Sequence, residues 1–306
     1  MVTDNSLTIH MNYGGGRTIE MNKFKLSNGQ ELPALGFGTY NPDGTDTCAI
    51  IQDAMEVGYR YFDTASLYET ERALGNAMKQ SGIRREEFFV ASKLWPDEMG
   101  YQETKDALNR SLERLQTEYL DLYLIHWPRR SEEDTAWKER GVATWKAMEE
   151  LHAKGLIRGL GLSNFLPHHA SNIYDNATVK PVVNQLELHP GYMQESAVAD
   201  CKAHEVLPQA WSPLGRAALL SHPLLASLAK KYGKSPAQIS LRYLLQRKIA
   251  LLVKASSKER MEQNMDIFDF TISEEDMSLL TCMPQTAWSG EHPDFNIPKV
   301  LSNFEQ

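Results

Sequence analysis

Gly58-Tyr-Arg-Tyr-Phe-Asp-Thr-Ala-Ser-Leu-Tyr-Glu69 is the stretch of sequence that best indicates the fold. Its residues 59–62 are three aromatic residues and an arginine, a composition typical of a β-strand. The run ends at Asp63, and Tyr68 follows five residues later in what we predict to be a loop. The pattern therefore predicts a strand with a carboxylate at its carboxyl end and a tyrosine just beyond it.

Two later apolar runs end in the same way. Residues 88–92 precede Lys93, and residues 122–125 precede His126. The carboxyl ends of neighbouring parallel strands lie on one side of a sheet or barrel, where active sites are built. We therefore predict a single catalytic site formed by four side chains: Asp63, Tyr68, Lys93 and His126.

Strand-like and helical patterns alternate along the whole chain. Helical spacing of apolar residues lies between the strand-like runs, and Ser235-Pro-Ala-Gln238 is typical of a capped helix start. Eight such units predict an α/β protein with a closed (β/α)8 TIM barrel rather than an open sheet. The predicted strands are 34–38, 59–63, 88–93, 120–126, 157–162, 182–187, 207–211 and 250–254.

The amino-terminal part precedes the first barrel strand. Ser27-Asn-Gly-Gln30 has an Asn-Gly centre between residues 23–26 and 31–33, which predicts a β-hairpin with a type I′ turn that closes one end of the barrel. Residues 1–22 are polar and contain no apolar core of a signal peptide. We expect a flexible extension over 1–22 and a single barrel domain over 23–306.

Composition restricts the partners. The formal net charge of −8 disfavours nucleic acid and anionic membranes, which attract basic surfaces. The three cysteines form no C-x-x-C pair, so neither a disulfide framework nor a thiolate metal site is predicted. No apolar run reaches the roughly 18 residues of a membrane helix. These features favour a cytoplasmic protein with a small-molecule partner and no metal.

The four predicted catalytic groups have complementary chemistry. A tyrosine is a weak acid at neutral pH unless its phenolate is stabilised. The ammonium of Lys93 would stabilise that phenolate, and Asp63 would keep the lysine charged. His126 could orient a carbonyl oxygen by hydrogen bonding. The group is suited to placing a proton on a carbonyl oxygen, but it contains no source of electrons.

Five motifs in order resemble the aldo-keto reductase family, most closely the branch of bacterial 2,5-diketogluconate reductase and prostaglandin F synthase. The resemblance extends over residues 23–293. The motifs are Gly58–Ala65 with Tyr68, Ser92–Trp95, Asp121–Pro128, Gly161–Phe165 and Val183–Pro190.

The resemblance implies a monomeric (β/α)8 barrel that uses NADPH to reduce an aldehyde or ketone. Tyr68 would be the general acid, Lys93 and Asp63 its supports, and His126 the residue that orients the carbonyl. Tyr40, Trp95 and Trp127 could be core aromatics, but their positions at or near the barrel tips favour pocket walls that contact the substrate together with His126. The implied cofactor-binding residues are Gly38, Thr39, Ser163, Asn164, Gln185, Trp211, Ser212, Leu214, Lys254, Ser256, Arg260 and Asn264.

The residues themselves support part of this cofactor assignment. Lys254 ends the eighth strand and Arg260 lies where the next helix would begin, so both suit a 2′-phosphate. The chain contains no G-x-G-x-x-G, which disfavours a Rossmann dehydrogenase. One departure from the branch is Ala255, which lacks the serine hydroxyl usual after the lysine. Ser256 or Ser257 could replace it, and the strength of the NADPH preference is left open.

Three other interpretations fit some of these residues. Asp63, Lys93 and His126 could form a purely structural network. A metal-dependent hydrolase could use His126, His189, Glu187 and Asp63, although neither H-x-H nor H-E-x-x-H occurs. The chain could also be a non-catalytic NADP(H) sensor or partner-binding subunit. For three histidines outside these sets, His152, His168 and His169, we expect solvated positions on helices.

Overall fold

The computed structural model describes residues 7–12, 18–41 and 46–298. Eight parallel strands within this part close into a barrel, in agreement with the prediction. Three further strands form a separate antiparallel sheet. The strands are β1 (Leu7–Asn12), β2 (Thr18–Lys25), β3 (Glu31–Pro33), β4 (Leu35–Gly38), β5 (Tyr61–Asp63), β6 (Phe89–Leu94), β7 (Leu122–Ile125), β8 (Leu160–Ser163), β9 (Val183–Glu187), β10 (Leu207–Trp211) and β11 (Ala250–Val253).

Helices follow the barrel strands, and several of them begin at a side-chain cap. The Ser235 side chain accepts from the Gln238 amide and completes the predicted capping box, and Ser273 caps the last helix. No helix in the described ranges is both long and apolar enough to cross a membrane. The helices are α1 (Thr47–Val57), α2 (Glu71–Ser81), α3 (Tyr101–Leu115), α4 (Trp137–Ala153), α5 (Pro167–Tyr174), α6 (Glu195–Ala203), α7 (Pro223–Tyr232), α8 (Pro236–Gln246), α9 (Lys258–Met265) and α10 (Glu274–Thr281).

The barrel closes where the first and last of its strands meet. β11 pairs with β4 in parallel register, with Val253 opposite Phe37. The largest apolar cluster lies between the barrel and its helices, and a second cluster fills the interior. Gly36 leaves room inside the barrel, because a Cβ there would lie 2.5 Å from the Tyr61 ring. The interior is therefore packed with side chains, and a ligand site must lie at one of its ends.

The amino-terminal hairpin covers the end of the barrel opposite the predicted site. Leu26 and Leu32 belong to the interior apolar cluster, and the Gln30 side chain donates to the Asp121 carbonyl, 3.2 Å away, just before β7. The hairpin is as predicted, but its turn is not type I′. Gly29, whose amide bonds the Leu26 carbonyl, has a φ of 88° and is the one turn residue in the left-handed region. A type I′ turn needs two such residues.

The predicted flexible extension includes strand residues. β1 pairs antiparallel with β2, with Leu7 opposite Lys23 and Asn12 opposite Thr18, so the sheet begins before the predicted boundary at residue 23. Pairing with β2 satisfies the backbone hydrogen-bonding groups on one side of β1, and the polar composition did not indicate this pairing. The rest of the extension, 1–6 and 13–17, lies outside the described residues, and the division into extension and barrel domain stays a prediction.

Candidate active site

The four predicted catalytic side chains meet at the carboxyl end of the barrel. The Lys93 ammonium bonds the Asp63 carboxylate and donates to the Thr64 carbonyl at 3.1 Å. It also lies 3.3 Å from the Tyr68 hydroxyl. On its other side that hydroxyl is 3.3 Å from Nε2 of His126. The Tyr68 oxygen is thus held between a cation and an imidazole.

Local structure places Tyr68 within reach of the strands. It ends a 3₁₀ turn, Ser66–Tyr68, that follows β5. The Ser66 hydroxyl contacts both the Lys93 carbonyl, at 3.2 Å, and the Glu98 carboxylate, at 2.6 Å. These bonds tie the turn to β6 and the segment after it. The tyrosine is consequently positioned by the same strand that carries its lysine neighbour.

Asp63 and Lys93 form a buried ion pair. Burial raises the pKa of the Asp63 carboxyl, against the opposing effects of the Lys93 charge and of hydrogen bonds from Lys93 and Gln185. Burial lowers the pKa of Lys93, but Asp63 and Tyr68 outweigh it and raise that pKa overall. The Lys93 ammonium is therefore the charged neighbour of the Tyr68 oxygen at neutral pH.

Tyr68 and His126 are both neutral at physiological pH. Burial raises the pKa of the Tyr68 phenol, and Lys93 opposes that rise. Burial, and then the nearby Lys93 charge, hold the pKa of His126 well below its usual range. A neutral phenol retains its proton for transfer, and a neutral imidazole can donate from Nε2 to an oxygen beside the phenol.

Four of the predicted cofactor-binding residues lie together beside this group. The Asn164 amide nitrogen donates to the His126 carbonyl at 3.0 Å and to the Ser163 hydroxyl at 3.2 Å. The Trp211 indole donates to the Asn164 side-chain oxygen at 2.8 Å. Asn164 has a φ of 61°, a left-handed conformation that asparagine tolerates. Asn164 thus joins the Trp211 indole to Ser163 and to the backbone of His126.

Gln185 joins these residues to the catalytic group. Its side-chain nitrogen donates to Asp63 at 2.9 Å and to Gln209 at 3.0 Å, and its side-chain oxygen accepts no bond from the described residues. Ser163 accepts from Asn164 and retains a hydroxyl hydrogen to donate. An unused acceptor and an unused donor fit the amino and carbonyl groups of a nicotinamide carboxamide.

The remaining predicted cofactor residues extend along the barrel rim. Lys254 follows β11, Ser256 and Arg260 are exposed, and Asn264 is buried on α9. Ser257 caps α9 by accepting from the Arg260 amide and retains its hydroxyl hydrogen, so both proposed replacements for the missing hydroxyl stay open. Four predicted residues lie at strand ends nearer the catalytic group: Gly38 ends β4, Thr39 follows it, and Ser212 and Leu214 follow β10. Thr39 is buried, and its hydroxyl lies 2.8 Å from the Thr70 hydroxyl.

Aromatic side chains lie beside the catalytic group, and their contact with substrate stays a prediction. The Tyr40 ring is 54% exposed and lies 5.0 Å from the Tyr68 ring, whereas Trp95 and Trp127 are buried. The sequence did not identify two further members of this wall, Leu67 and Ile297, which pack against the tryptophans. Ile297 is 170 residues from Trp127 in the chain, and no local pattern relates them.

A second feature missed from sequence is the anchor of the carboxyl-terminal segment. Glu187, at the end of β9, accepts from the Ser289 amide at 3.0 Å and from its hydroxyl at 2.7 Å. The buried His189 lies 3.6 Å from the same carboxylate. Because this segment also supplies Ile297, the anchor helps to fix one wall of the mouth.

The residues of the hydrolase alternative do not form a metal site. Within the described ranges, the group with three ligand atoms close together is His168, His169 and Asp294 instead. The prediction that His169 is solvated was wrong, since it is fully buried against Trp137 and Asp294. Its Nδ1 accepts from the Leu166 amide, so in the neutral ring Nε2 carries the proton and cannot ligate a metal.

Residues 34–283 match the model of the aldo/keto reductase family. The chain belongs to this family. A 9,11-endoperoxide prostaglandin H2 reductase of Trypanosoma cruzi is 39% identical over 277 residues, 89% of this chain and 95% of the relative. A glyoxal reductase of Bacillus subtilis is 40% identical over 271 residues, 88% and 95% of the two chains.

Solved structures of aldo-keto reductases share the fold. One, from the silkworm Bombyx mori and complexed with NADPH, is 33% identical with a TM-score of 0.80; the match covers 92% of this chain and 90% of that one. This aldo/keto reductase is therefore an oxidoreductase of a family that acts on small carbonyl compounds, and a nicotinamide cofactor is supported by its neighbours.

Proposed function

We propose that this protein reduces aldehydes and ketones with NADPH, using Tyr68 as the proton donor. The observation that carries the proposal is the position of the Tyr68 hydroxyl, 3.3 Å from both the Lys93 ammonium and the His126 Nε2. A buried salt bridge alone would account for Asp63 and Lys93, but it gives no reason for a phenol and a neutral imidazole to share one point.

Each side chain has a distinct part in the proposed reaction. His126 donates from Nε2 to the carbonyl oxygen and places it next to the Tyr68 hydroxyl. Tyr68 transfers its proton to that oxygen as negative charge develops there. Lys93 stabilises the phenolate that remains, and Asp63 holds the lysine charged. A bound nicotinamide would supply the hydride.

The chain's own residues fit such a cofactor. Gln185 and Ser163 would bind the carboxamide, and the Trp211 ring would stack against the nicotinamide. Gly38, Thr39, Ser212 and Leu214 would line the path to the adenosine end, which Lys254, Ser256, Arg260 and Asn264 would hold. The Arg260 guanidinium has no carboxylate partner among the described residues, as expected of a cation that binds a 2′-phosphate.

Arg260→Ala is expected to weaken NADPH binding about tenfold to a hundredfold and to change NADH binding by less than about threefold. Charge-assisted hydrogen bonds contribute about 1.5–3 kcal/mol, and only NADPH carries the 2′-phosphate. Titration of each reduced cofactor into the protein measures both constants. Lys258→Ala is the control, since Lys258 is two residues earlier and pairs with Asp53 and Glu56. Equal weakening of both cofactors by Arg260→Ala would place the phosphate site elsewhere.

Small aldehydes and ketones, including 2-oxoaldehydes, are the proposed substrates. Relatives are named glyoxal reductase and methylglyoxal reductase, and the mouth of the site has an apolar wall of Trp95, Trp127 and Ile297. We expect the protein to act in the cytoplasm as a monomer. We expect its partner to be the small carbonyl substrate, and neither nucleic acid nor a membrane.

The proposal is tested by the loss of reduced-cofactor absorbance with NADPH and with NADH. The panel contains glyoxal, methylglyoxal, an aromatic aldehyde, an aldose and a diketogluconate. Turnover with NADPH supports the proposal and ranks the substrates. Tight NADPH binding without turnover of any carbonyl would favour the NADP(H) sensor or partner-binding subunit instead.

A further inference from the structure

Two layers of polar side chains cross the barrel interior at and below the active site. Tyr61 and Asp63 are two residues apart on β5, so both point inward. Gln185 on β9 and Gln209 on β10 are register partners on the opposite wall. Asp63 meets Gln185 in the upper layer, and Tyr61 meets Gln209 in the lower one. All four residues are buried.

The two hydrogen bonds made by the Gln185 side chain have one possible direction. The Asp63 carboxylate can only accept, so Gln185 must present its nitrogen, at 2.9 Å. The second hydrogen on that nitrogen points to the Gln209 side-chain oxygen, 3.0 Å away. Gln209 then turns its own nitrogen to the Tyr61 hydroxyl, at 2.9 Å, and that hydroxyl also lies 3.2 Å from the Gln209 oxygen. The negative charge of Asp63 therefore fixes which atom of Gln185 donates, and through it which atom of Gln209 accepts.

Two hydrogen-bond acceptors, Asp63 and Gln209, define the plane of the Gln185 amide group. A single acceptor would leave the amide group free to rotate. With Asp63 alone, the amide could turn about the axis of that single bond and carry its oxygen away from the site. The bond to Gln209 removes this freedom. Gln185 bonds Asp63 of the catalytic group, whereas Gln209 bonds Tyr61, two residues earlier on β5, so any effect of Gln209 on the nicotinamide passes through Gln185.

We infer that Gln209 is a positioning residue, which acts through Gln185 by fixing the plane in which the amide oxygen faces the cofactor carboxamide. The inference rests on the proposed nicotinamide site. It also accounts for an amide in an interior otherwise filled by residues such as Ala91, Leu124 and Leu252, where a polar group costs free energy unless it is hydrogen-bonded.

The test compares the binding of NADP⁺ with that of 2′,5′-ADP, which has the phosphate end but no nicotinamide. Gln209→Met is expected to weaken NADP⁺ binding about threefold to tenfold, the range for one neutral hydrogen bond, and to leave 2′,5′-ADP within about twofold. Isothermal titration calorimetry measures both. Tyr61→Phe is the matched control: it removes a polar group from the same network but keeps Gln209 as an acceptor for Gln185, so NADP⁺ binding should weaken less than in Gln209→Met.

A double-mutant cycle with Gln185→Met tests the route of the effect. If Gln209 acts through Gln185, then Gln209→Met has no further effect on NADP⁺ binding once Gln185 is replaced. An undiminished effect in that background would overturn the inference. So would equal weakening of NADP⁺ and 2′,5′-ADP, or equal weakening by Tyr61→Phe.

Folding is checked by the thermal unfolding of each apoprotein. If Gln209→Met does not fold, the comparison is made between Tyr61→Phe/Gln209→Met and Tyr61→Phe, because removing both partners leaves no unpaired Tyr61 hydroxyl. Failure of the wild-type protein to bind NADP⁺ would refute the proposed function as well. Wild-type binding with unchanged affinity in Gln209→Met would refute the inference alone.

Discussion

Tyr68→Phe is expected to lower kcat for carbonyl reduction by about 10²–10⁴, the usual contribution of a positioned general acid. The phenylalanine ring keeps the contact with the Tyr40 ring but has no proton to transfer. The cofactor residues Ser163, Gln185 and Trp211 are unchanged, so NADPH binding should stay within about threefold. Steady-state kinetics with the best substrate of the panel and a cofactor titration measure the two quantities.

The control for this substitution is Tyr101→Phe, on the exposed surface of α3. It removes a hydroxyl that bonds Glu150 far from the site and should leave kcat unchanged. If Tyr68→Phe kept near-normal turnover, Tyr68 would not be the proton donor. If it lost NADPH binding as well as turnover, the substitution would have disturbed the cofactor site, and the acid assignment would lose its support.

Lys93→Met is expected to lower kcat by about 10²–10³ and to shift its pH dependence. The Lys93 charge lowers the pKa of Tyr68, in opposition to burial, so its removal raises that pKa further. The protonated phenol is the active form in reduction, and the loss of activity on the alkaline side moves to higher pH. Oxidation of the alcohol needs the phenolate, so its rising limb also moves to higher pH. Profiles of kcat in both directions measure the shift.

The stability of this variant needs a separate control. Lys93→Met leaves Asp63 buried without its cation, and such a change commonly costs about 3–5 kcal/mol of unfolding free energy. The double variant Asp63→Asn/Lys93→Met removes both charges and should recover much of that loss in chemical denaturation without recovering turnover. An unchanged pH profile in Lys93→Met would contradict the role of Lys93 as the support of Tyr68.

Local sequence features were enough for most of the fold and for the members of the catalytic group. The eight barrel strands were found because each is a short, mainly apolar run, and the helix start at Ser235 because capping depends on neighbouring residues. Asp63, Lys93 and His126 were found because parallel strands share a carboxyl end. Their catalytic roles stay a prediction until the variants are measured.

Some local patterns misled because the deciding contact lies elsewhere in the chain. Asn-Gly indicated a type I′ turn, but the hairpin is closed with only Gly29 in the left-handed region. The position of His169 on a helix indicated solvent exposure, yet Asp294, 125 residues later, and Trp137 cover it. Periodicity within a helix does not show what packs against it from a distant segment.

The sequence alone determined that this chain is a (β/α)8 barrel of the aldo/keto reductase family with polar groups at its strand ends, because hydrophobic periodicity and motif order are local properties. Only the tertiary structure decided which of these groups touch. Asp63 bonds Lys93 and Gln185, 30 and 122 residues away, and Gln209 bonds Tyr61 over 148 residues. These contacts exist because the barrel closes and its interior brings opposite strands within the length of two side chains, a distance that sequence separation does not encode.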